Sequence, residues 1–111
     1  MAYLDYQELV NPERDRLVKD LGPHKVMILR NHGLLTAGVN CAEAFNLMYH
    51  LEKSCQTQMQ VLASNQKYSI APEEVLEKSA RVFHEGNKPL GQRDWPALMA
   101  LCDELYPGYA N

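Results

Sequence analysis

One histidine stands in a predicted tight turn, and its imidazole is the side chain best placed for chemistry in this 111-residue sequence. His32 lies within residues 30–36, between two short apolar runs, and has Asn31 and Gly33 as neighbours. Asn tolerates unusual turn geometry, and Gly can adopt a positive φ or let another group approach the backbone closely. An imidazole in such a turn is either a metal ligand or a hydrogen-bonded structural residue, and from the residues alone the structural role is the commoner one.

The runs on either side of the turn predict a β-hairpin that carries His32. Residues 25–29 are apolar and bounded by Pro23 and the turn, which is typical of a buried strand. Residues 34–37 predict the second strand. His32 is therefore expected on a stiff hairpin rather than on a loose loop.

A short helix is expected before the hairpin. Asn11 suits the N-cap, Pro12 suits the first helical position, and Gly22 with Pro23 would end the helix. This helix would lead directly into the first strand.

A long helix is predicted after the hairpin, from Cys41 to about Ser64. Asn40, followed three residues later by Glu43, resembles a capping box. Apolar side chains recur at steps of three and four, so they form one stripe that is expected to pack in the core. The stripe consists of Ala44, Met48, Leu51, Cys55, Met59 and Leu62.

Two further helices are predicted towards the C-terminus. One begins at Pro72, and its buried face is expected to contain Leu76, Ala80 and Phe83. A break at residues 86–91 would separate it from a last helix over residues 94–105.

The order of the elements predicts an α/β fold, with a β-hairpin followed by helices. Because two strands alone leave unpaired edges, something else is expected to cover the sheet. No repeat or long linker divides the chain, so one domain is expected.

Composition excludes several classes of partner. Eleven Lys and Arg are scattered among fourteen Asp and Glu, giving a net charge of −3, so no nucleic-acid surface is expected. Neither a membrane-spanning run nor a secretory leader is apparent, so no membrane role is expected. Three cysteines without a Cys-x-x-Cys pair suit a reducing cytoplasm.

The sequence around the turn resembles the class II aldolase/adducin head-domain family. The strongest similarity covers residues 26–58, and residues 3–6 and 11–14 resemble the sequence that leads up to the family's Asn-His-Gly motif. The positions that carry the similarity are residues 26–38, Asn40, Ala42, Glu43, Ala44, Leu51, Glu52, Cys55 and Gln58.

This resemblance implies a role for His32. In enzymatic members three histidines hold a divalent metal, typically zinc: two come from a His-x-His motif and one from Asn-His-Gly, which His32 matches. The His-x-His pair lies in an N-terminal half that has no counterpart here, so residues 1–111 resemble the C-terminal half of an α/β/α layered domain. His24, His50 and His84 form no zinc pattern with His32.

Two functions follow from the resemblance. The first is a metal-dependent lyase for a small sugar-phosphate or hydroxy-carbonyl substrate, in which the metal polarises a carbonyl as an enediolate forms. The second is a non-catalytic assembly module like the adducin head domains. The family also implies a homo-oligomer, and a tail tyrosine, Tyr106 or Tyr109, could reach a neighbouring subunit. No motif aligns either tyrosine, and a packing or disordered tail is the commoner case. The hairpin edge and the apolar stripe of the long helix are the expected contacts.

Overall fold

The structure is a computed structural model that describes residues 6–84 and 89–110. Along the chain, the elements are α1 (Tyr6–Leu21), β1 (Val26–Leu29), β2 (Gly33–Thr36), α2 (Cys41–Ala63), α3 (Glu73–His84) and α4 (Trp95–Leu105). The predicted α/β class and the order of the elements are confirmed. Part of the predicted break, residues 86–88, lies outside the described residues.

The hairpin forms as the two apolar runs predict. β1 and β2 pair antiparallel, with Val26 opposite Thr36 and Leu29 opposite Gly33. A further backbone bond from Ala37 N to Lys25 O, 2.8 Å long, extends the ladder beyond the strands. Within the described residues the sheet contains these two strands, as expected for an incomplete sheet.

The prediction that β1 is a buried strand is wrong. Along β1 the side chains alternate, so that Met27 and Leu29 are half-buried while Val26 and Ile28 are 38% and 67% exposed. Within the described residues α2 is the helix that packs most extensively on the hairpin. Successive side chains of a strand point to opposite faces of the sheet, so a helix packed on one face leaves the alternate side chains in solvent.

The first helix begins earlier than its sequence signals predict. Asn11 is not its N-cap, because α1 starts at Tyr6 and Pro12 lies inside it. A proline removes one backbone donor but holds φ near the helical value, so this backbone remains helical on both sides of it. The predicted end is confirmed, since Gly22 follows Leu21 with a φ of +53° in the left-handed region.

Burial along α2 is uneven. Ala42 and Glu43 in its first turn are buried, at 4% and 2% exposure. The apolar stripe is half-buried as far as Cys55, whereas Met59 and Leu62 are 65% and 49% exposed. The predicted core stripe is therefore covered over its first half only.

The prediction of a buried face on α3 is also wrong. Leu76 and Phe83 are 51% and 60% exposed, and Ala80 is exposed as well. The periodicity correctly predicts an apolar face, but no described part of this chain packs over it.

The whole chain is correspondingly open. Its accessible surface is 10216 Å², whereas a compact monomer of 12.7 kDa exposes about 6,200 Å². Its radius of gyration is 17.8 Å, against about 13 Å for a compact domain of this length. None of the described helices combines the length and apolar character needed to cross a bilayer.

Candidate functional site

The turn that carries His32 is closed by its own backbone. His32 N donates to Leu29 O at 3.1 Å, and Asn31 adopts a φ of +55°. Asn is one of the few non-glycine residues that enter this region at low cost. Asn31 therefore accounts for the shape of the turn, while its role in supporting a metal ligand stays a prediction.

Gly33 shows neither the positive φ nor the close backbone approach that its sequence context predicts. It is the first residue of β2, its φ lies outside the left-handed region, and a Cβ placed on it would meet no described atom within 4 Å. Neither a positive φ nor a close approach within the described residues explains a glycine here. The space beside Gly33 is open, next to the exposed side chain of His32.

A cleft between α1 and the hairpin places charged side chains beside His32. Its volume is about 770 Å³, within the range of small-molecule sites. The charged or imidazole side chains that line it are Glu13, Arg16, Asp20, Arg30 and His32. The three contributed by α1 were not predicted as site residues, although positions 13, 16 and 20 follow the spacing of one helical face.

Charges of both signs share this cleft. Arg16 Nη2 donates to Glu13 Oε1 at 3.2 Å, and both side chains are more than half exposed, so their pairing contributes little to stability. Neither Asp20 nor Arg30 forms a salt bridge with a described residue. The cleft is open to solvent, and its charged side chains lie beside four apolar ones, Leu17, Met27, Ile28 and Leu29.

The histidines are not brought together. Among the described side chains, no group of three or more His, Cys, Asp or Glu is close enough to hold a metal ion. His24 and His50 are exposed and do not line the cleft, and the side chain of His84 lies outside the described residues. A catalytic zinc normally has three protein ligands. The described residues supply one of them and do not complete a site.

A buried carboxylate fixes the hairpin to α2, and sequence analysis missed it. Glu43 Oε1 accepts from Lys25 Nζ at 2.5 Å, and Glu43 Oε2 accepts from Val39 N at 2.8 Å. These two hydrogen bonds, that from Lys25 first, hold the pKa of the Glu43 carboxyl below its ordinary value of 4.5 against the opposing effect of burial. The Lys25–Glu43 pair thus joins the open end of the hairpin to the start of α2.

Further contacts fix the same region. Asn40 Oδ1 accepts from Glu43 N at 3.0 Å, which confirms Asn40 as the cap of α2. Thr36 Oγ1 donates to Ala44 O at 2.9 Å. At Gly38, a Cβ would lie 2.7 Å from Ala44 N, so only glycine fits. The strand that follows His32 is therefore held on α2 by directional bonds.

A second, smaller pocket lies between α2 and α4. It has a volume of about 260 Å³ and is lined by Asn46, His50 and Asp94 among others. Beside it, Phe45 and Trp95 pack edge to face with ring centroids 6.0 Å apart. No hydrogen bond between described residues joins Asn46, His50 and Asp94, and we assign the pocket no role.

Of the two tail tyrosines, one packs within its own chain. Tyr109 Oη donates to Asp103 Oδ1 at 3.0 Å, so this ring folds back on α4. The same hydrogen bond raises the pKa of Tyr109 above its ordinary value of 10.0. Tyr106 is 63% exposed. The structure thus gives Tyr109 a partner within its own chain.

Comparison with known proteins identifies the family. The profile of the Class II Aldolase and Adducin N-terminal domain matches residues 1–59. The chain belongs to the class II aldolase and adducin family. A crystal structure of an aldolase II superfamily protein from Pseudomonas syringae shares the fold, with a TM-score of 0.77 and 37% identity over 97% of this chain and 42% of that one.

Relatives of both kinds align with the whole chain or nearly so. A Caulobacter vibrioides protein assigned by name to the class 2 aldolases is 34% identical over all of this chain and 44% of its own length. Human beta-adducin is 33% identical over 95% of this chain and 16% of its own length. The chain therefore spans less than half the length of the curated relatives that it matches, and both functional classes of the family remain candidates.

Proposed function

We propose that the chain forms part of a metal-dependent lyase site of the class II aldolase type, in which His32 is one ligand of a divalent metal, typically zinc. One observation carries the proposal: the exposed imidazole stands at the tip of a hairpin held on α2, beside a cleft large enough for a small molecule. The side chain of His32 makes no hydrogen bond with a described residue. Its donor nitrogens are thus free for another partner.

The remaining ligands would have to come from outside the described residues. The donor set in the described part of the chain does not fit a complete zinc site, so no reaction step can be assigned to the metal here. We infer that residues 1–111 correspond to the C-terminal half of a domain of about twice this length, a usual domain size. The chain alone would then bind zinc weakly and lack turnover.

The substrate we propose is a small sugar phosphate or hydroxy-carbonyl compound. The cleft has room for a molecule of that size, and its wall offers charged side chains of both signs to the polar groups of such a ligand. Three free cysteines are consistent with a cytoplasmic protein.

A second candidate is a non-catalytic assembly module of the adducin kind. It is favoured by the similarity to human beta-adducin, which is 33% identical over 95% of this chain. In that case His32 has no ligand to hold, and the turn is simply part of the fold.

Zinc titration of two histidine variants tests the proposal. We expect calorimetry on the 111-residue chain to show weak zinc binding that disappears in His32→Ala. His50→Ala is the matched control, because His50 is also exposed but lies on α2, away from the cleft. In the protein as it occurs in cells, His32→Ala should remove bound metal and turnover while His50→Ala retains both.

Two outcomes would contradict the lyase proposal. If His32→Ala leaves zinc binding and metal content unchanged, His32 is not a ligand. If the native protein contains no metal and cleaves no sugar phosphate, the assembly role becomes the better account. Circular dichroism should remain unchanged in His32→Ala, because an exposed turn residue contributes little to packing.

A further inference from the structure

Glu43 is a buried ionisable residue to which the proposed function gives no part. It is 2% exposed, and it is the only buried polar or charged residue among those described. Lys25 Nζ donates to one carboxylate oxygen at 2.5 Å and Val39 N to the other at 2.8 Å, so both oxygens are occupied. An apolar pair of similar volume often stabilises a fold as well as a buried ion pair does. What this pair adds is direction, because a charged hydrogen bond holds its partners at a defined distance and angle.

The bonds of Glu43 lie at the open end of the hairpin. Lys25 comes directly before β1, and its carbonyl oxygen accepts from Ala37 N at 2.8 Å, just beyond the end of β2. Val39 follows two residues later. Glu43 therefore holds the chain just before the first strand and just after the second, and it fixes both strands to the first turn of α2.

The first turn of α2 is itself held from the other side. Gln92 Nε2 donates to Asn40 Oδ1 at 3.1 Å. At Gly91 a Cβ would lie 2.5 Å from Ala42 O, so the backbone before α4 lies directly against this turn. The turn thus gives the hairpin a fixed base.

The opposite end of the hairpin has no comparable support within the described residues. His32 is exposed, and its side chain makes no hydrogen bond with a described residue. Beside it, a Cβ on Gly33 would meet no described atom within 4 Å. The hairpin is therefore a lever, anchored at its base and carrying the imidazole at its free end.

The length of the hairpin amplifies a change at its base. Each strand has four residues, which span about 13 Å at about 3.3 Å per residue. A tilt of about 10° at the base would move the tip by about 2 Å over that length. An imidazole nitrogen that binds zinc stands about 2.0–2.1 Å from it, within about 0.2 Å. A tilt that the fold itself would tolerate is therefore enough to displace His32 from a ligand position.

We propose that Glu43 is a positioning residue for His32. Through Lys25 and Val39 it sets the tilt of the hairpin on α2, and so the place at which the imidazole meets the cleft. Glu43 does not line that cleft, so it acts only through the hairpin. The inference deepens the lyase proposal and rests on it, although the tilt itself can be measured without a metal.

The tilt is measured by residual dipolar couplings, which report the directions of the strand amides relative to those of α2. Glu43→Gln keeps the volume of the side chain but removes its charge, and Lys25→Met removes the ammonium group. Each should turn the hairpin by about 5° or more, equivalent to about 1 Å at the tip. Trp95→Leu is the matched control, because Trp95 lies on α4 and packs on Phe45 of α2 with ring centroids 6.0 Å apart. It should destabilise the fold and leave the tilt unchanged.

Zinc affinity measures the consequence for His32 in the protein as it occurs in cells. Competition with a chromophoric chelator should show about 10-fold weaker binding in Glu43→Gln and in Lys25→Met, a loss typical of residues that support a metal ligand. The double variant should be no weaker than either single one, because the two side chains act as one unit. Trp95→Leu should bind zinc as the native protein does. A role in stability alone would lower the urea midpoint in all of these variants and change zinc affinity in none.

Failure of this inference is distinguishable from failure of the lyase proposal. An unchanged tilt in both Glu43→Gln and Lys25→Met overturns the inference. So does an unchanged zinc affinity in these variants when His32→Ala abolishes binding, and the lyase proposal then stands without a role for Glu43. If His32→Ala leaves zinc binding unchanged, the lyase proposal fails, and the couplings alone decide whether Glu43 orients the hairpin. If Glu43→Gln does not fold, Lys25→Met carries both measurements.

Discussion

Two regions of the molecule are stabilised in different ways. One is the hairpin together with the first turn of α2, and the other is the helix α3. In the first region, directional bonds join residues distant in sequence, such as Lys25 and Glu43, and the only two residues classed as buried among those described lie there. In α3, every described side chain is exposed, and its described hydrogen bonds are local, such as Ser79 Oγ to Val75 O.

The difference indicates which part of the fold this chain determines by itself. The hairpin region holds its geometry through contacts within the chain, so the turn that presents His32 does not depend on a partner. The α3 face has the pattern of a packed helix but needs a surface from elsewhere. The region that carries the candidate ligand is thus the self-sufficient one.

The largest expected effect is at Glu43. Glu43→Ala leaves Val39 N–H without its acceptor and Lys25 without its partner, which should lower the free energy of unfolding by about 3 kcal/mol. Removing one partner of a fully buried ion pair can cost about 5 kcal/mol. We expect less here, because the Lys25 side chain is 42% exposed. Urea denaturation measures the loss as a lower midpoint with an unchanged slope.

Glu77→Ala on α3 is the matched control. Its side chain is exposed and makes no described hydrogen bond or salt bridge, so the change should stay within about 0.5 kcal/mol. Equal losses in the two variants would mean that the two regions do not differ in the way we describe.

The elements that could be predicted from sequence depend on short-range signals. The hairpin follows from two apolar runs around Asn31, and the start of α2 follows from Asn40, whose side chain accepts from Glu43 N three residues later. The start of α1 was not predictable from Asn11 and Pro12, because proline is compatible with helical φ at an interior position as well as at the first one.

The features that could not be predicted depend on contacts between residues far apart in sequence, or on a covering surface whose origin the sequence does not show. Glu43 and Lys25 are 18 positions apart, and no local pattern shows that they meet. Periodicity correctly predicts an apolar face on α3, but it does not reveal whether the cover belongs to the same chain. Similarly, the sequence indicates Asn31 and His32 as the candidate site, whereas the α1 side chains that line the cleft are identified only from the structure.

A smaller effect is expected at Gly91, which lies where α4 approaches α2. Its φ is +79°, and a Cβ would lie 2.5 Å from Ala42 O. Gly91→Ala should therefore cost about 2 kcal/mol through backbone strain and overpacking. Gly33→Ala is the control, because a Cβ there meets no described atom within 4 Å, and its effect should stay within about 0.5 kcal/mol.

The two glycine variants are compared by thermal and urea unfolding. A Gly91→Ala variant as stable as the native chain would mean that α4 can shift away from α2 at little cost. α4 would then resemble α3 in being loosely held, and the packed region would end at the hairpin and the first turn of α2.

The smallest effect is the response of the Lys25–Glu43 pair to acid. Because the folded-state pKa of Glu43 lies below 4.5, its charge stabilises the fold above that pH. This contribution is lost as the pH falls below 4.5 and through the folded-state pKa. Protonation costs less than Glu43→Ala, since the neutral carboxyl keeps its volume and can still accept from Val39 N–H.

The measurement compares urea midpoints at neutral pH and at pH about 3 for the native chain and for Glu43→Gln. The uncharged amide introduced by this substitution cannot titrate, so the variant should be less stable at neutral pH and should lose less stability on acidification. The other carboxylates are the same in both proteins, so the difference between the two acid responses belongs to Glu43. Identical responses would mean that Glu43 titrates as an ordinary surface acid, and that the geometry of the hairpin is maintained without its charge.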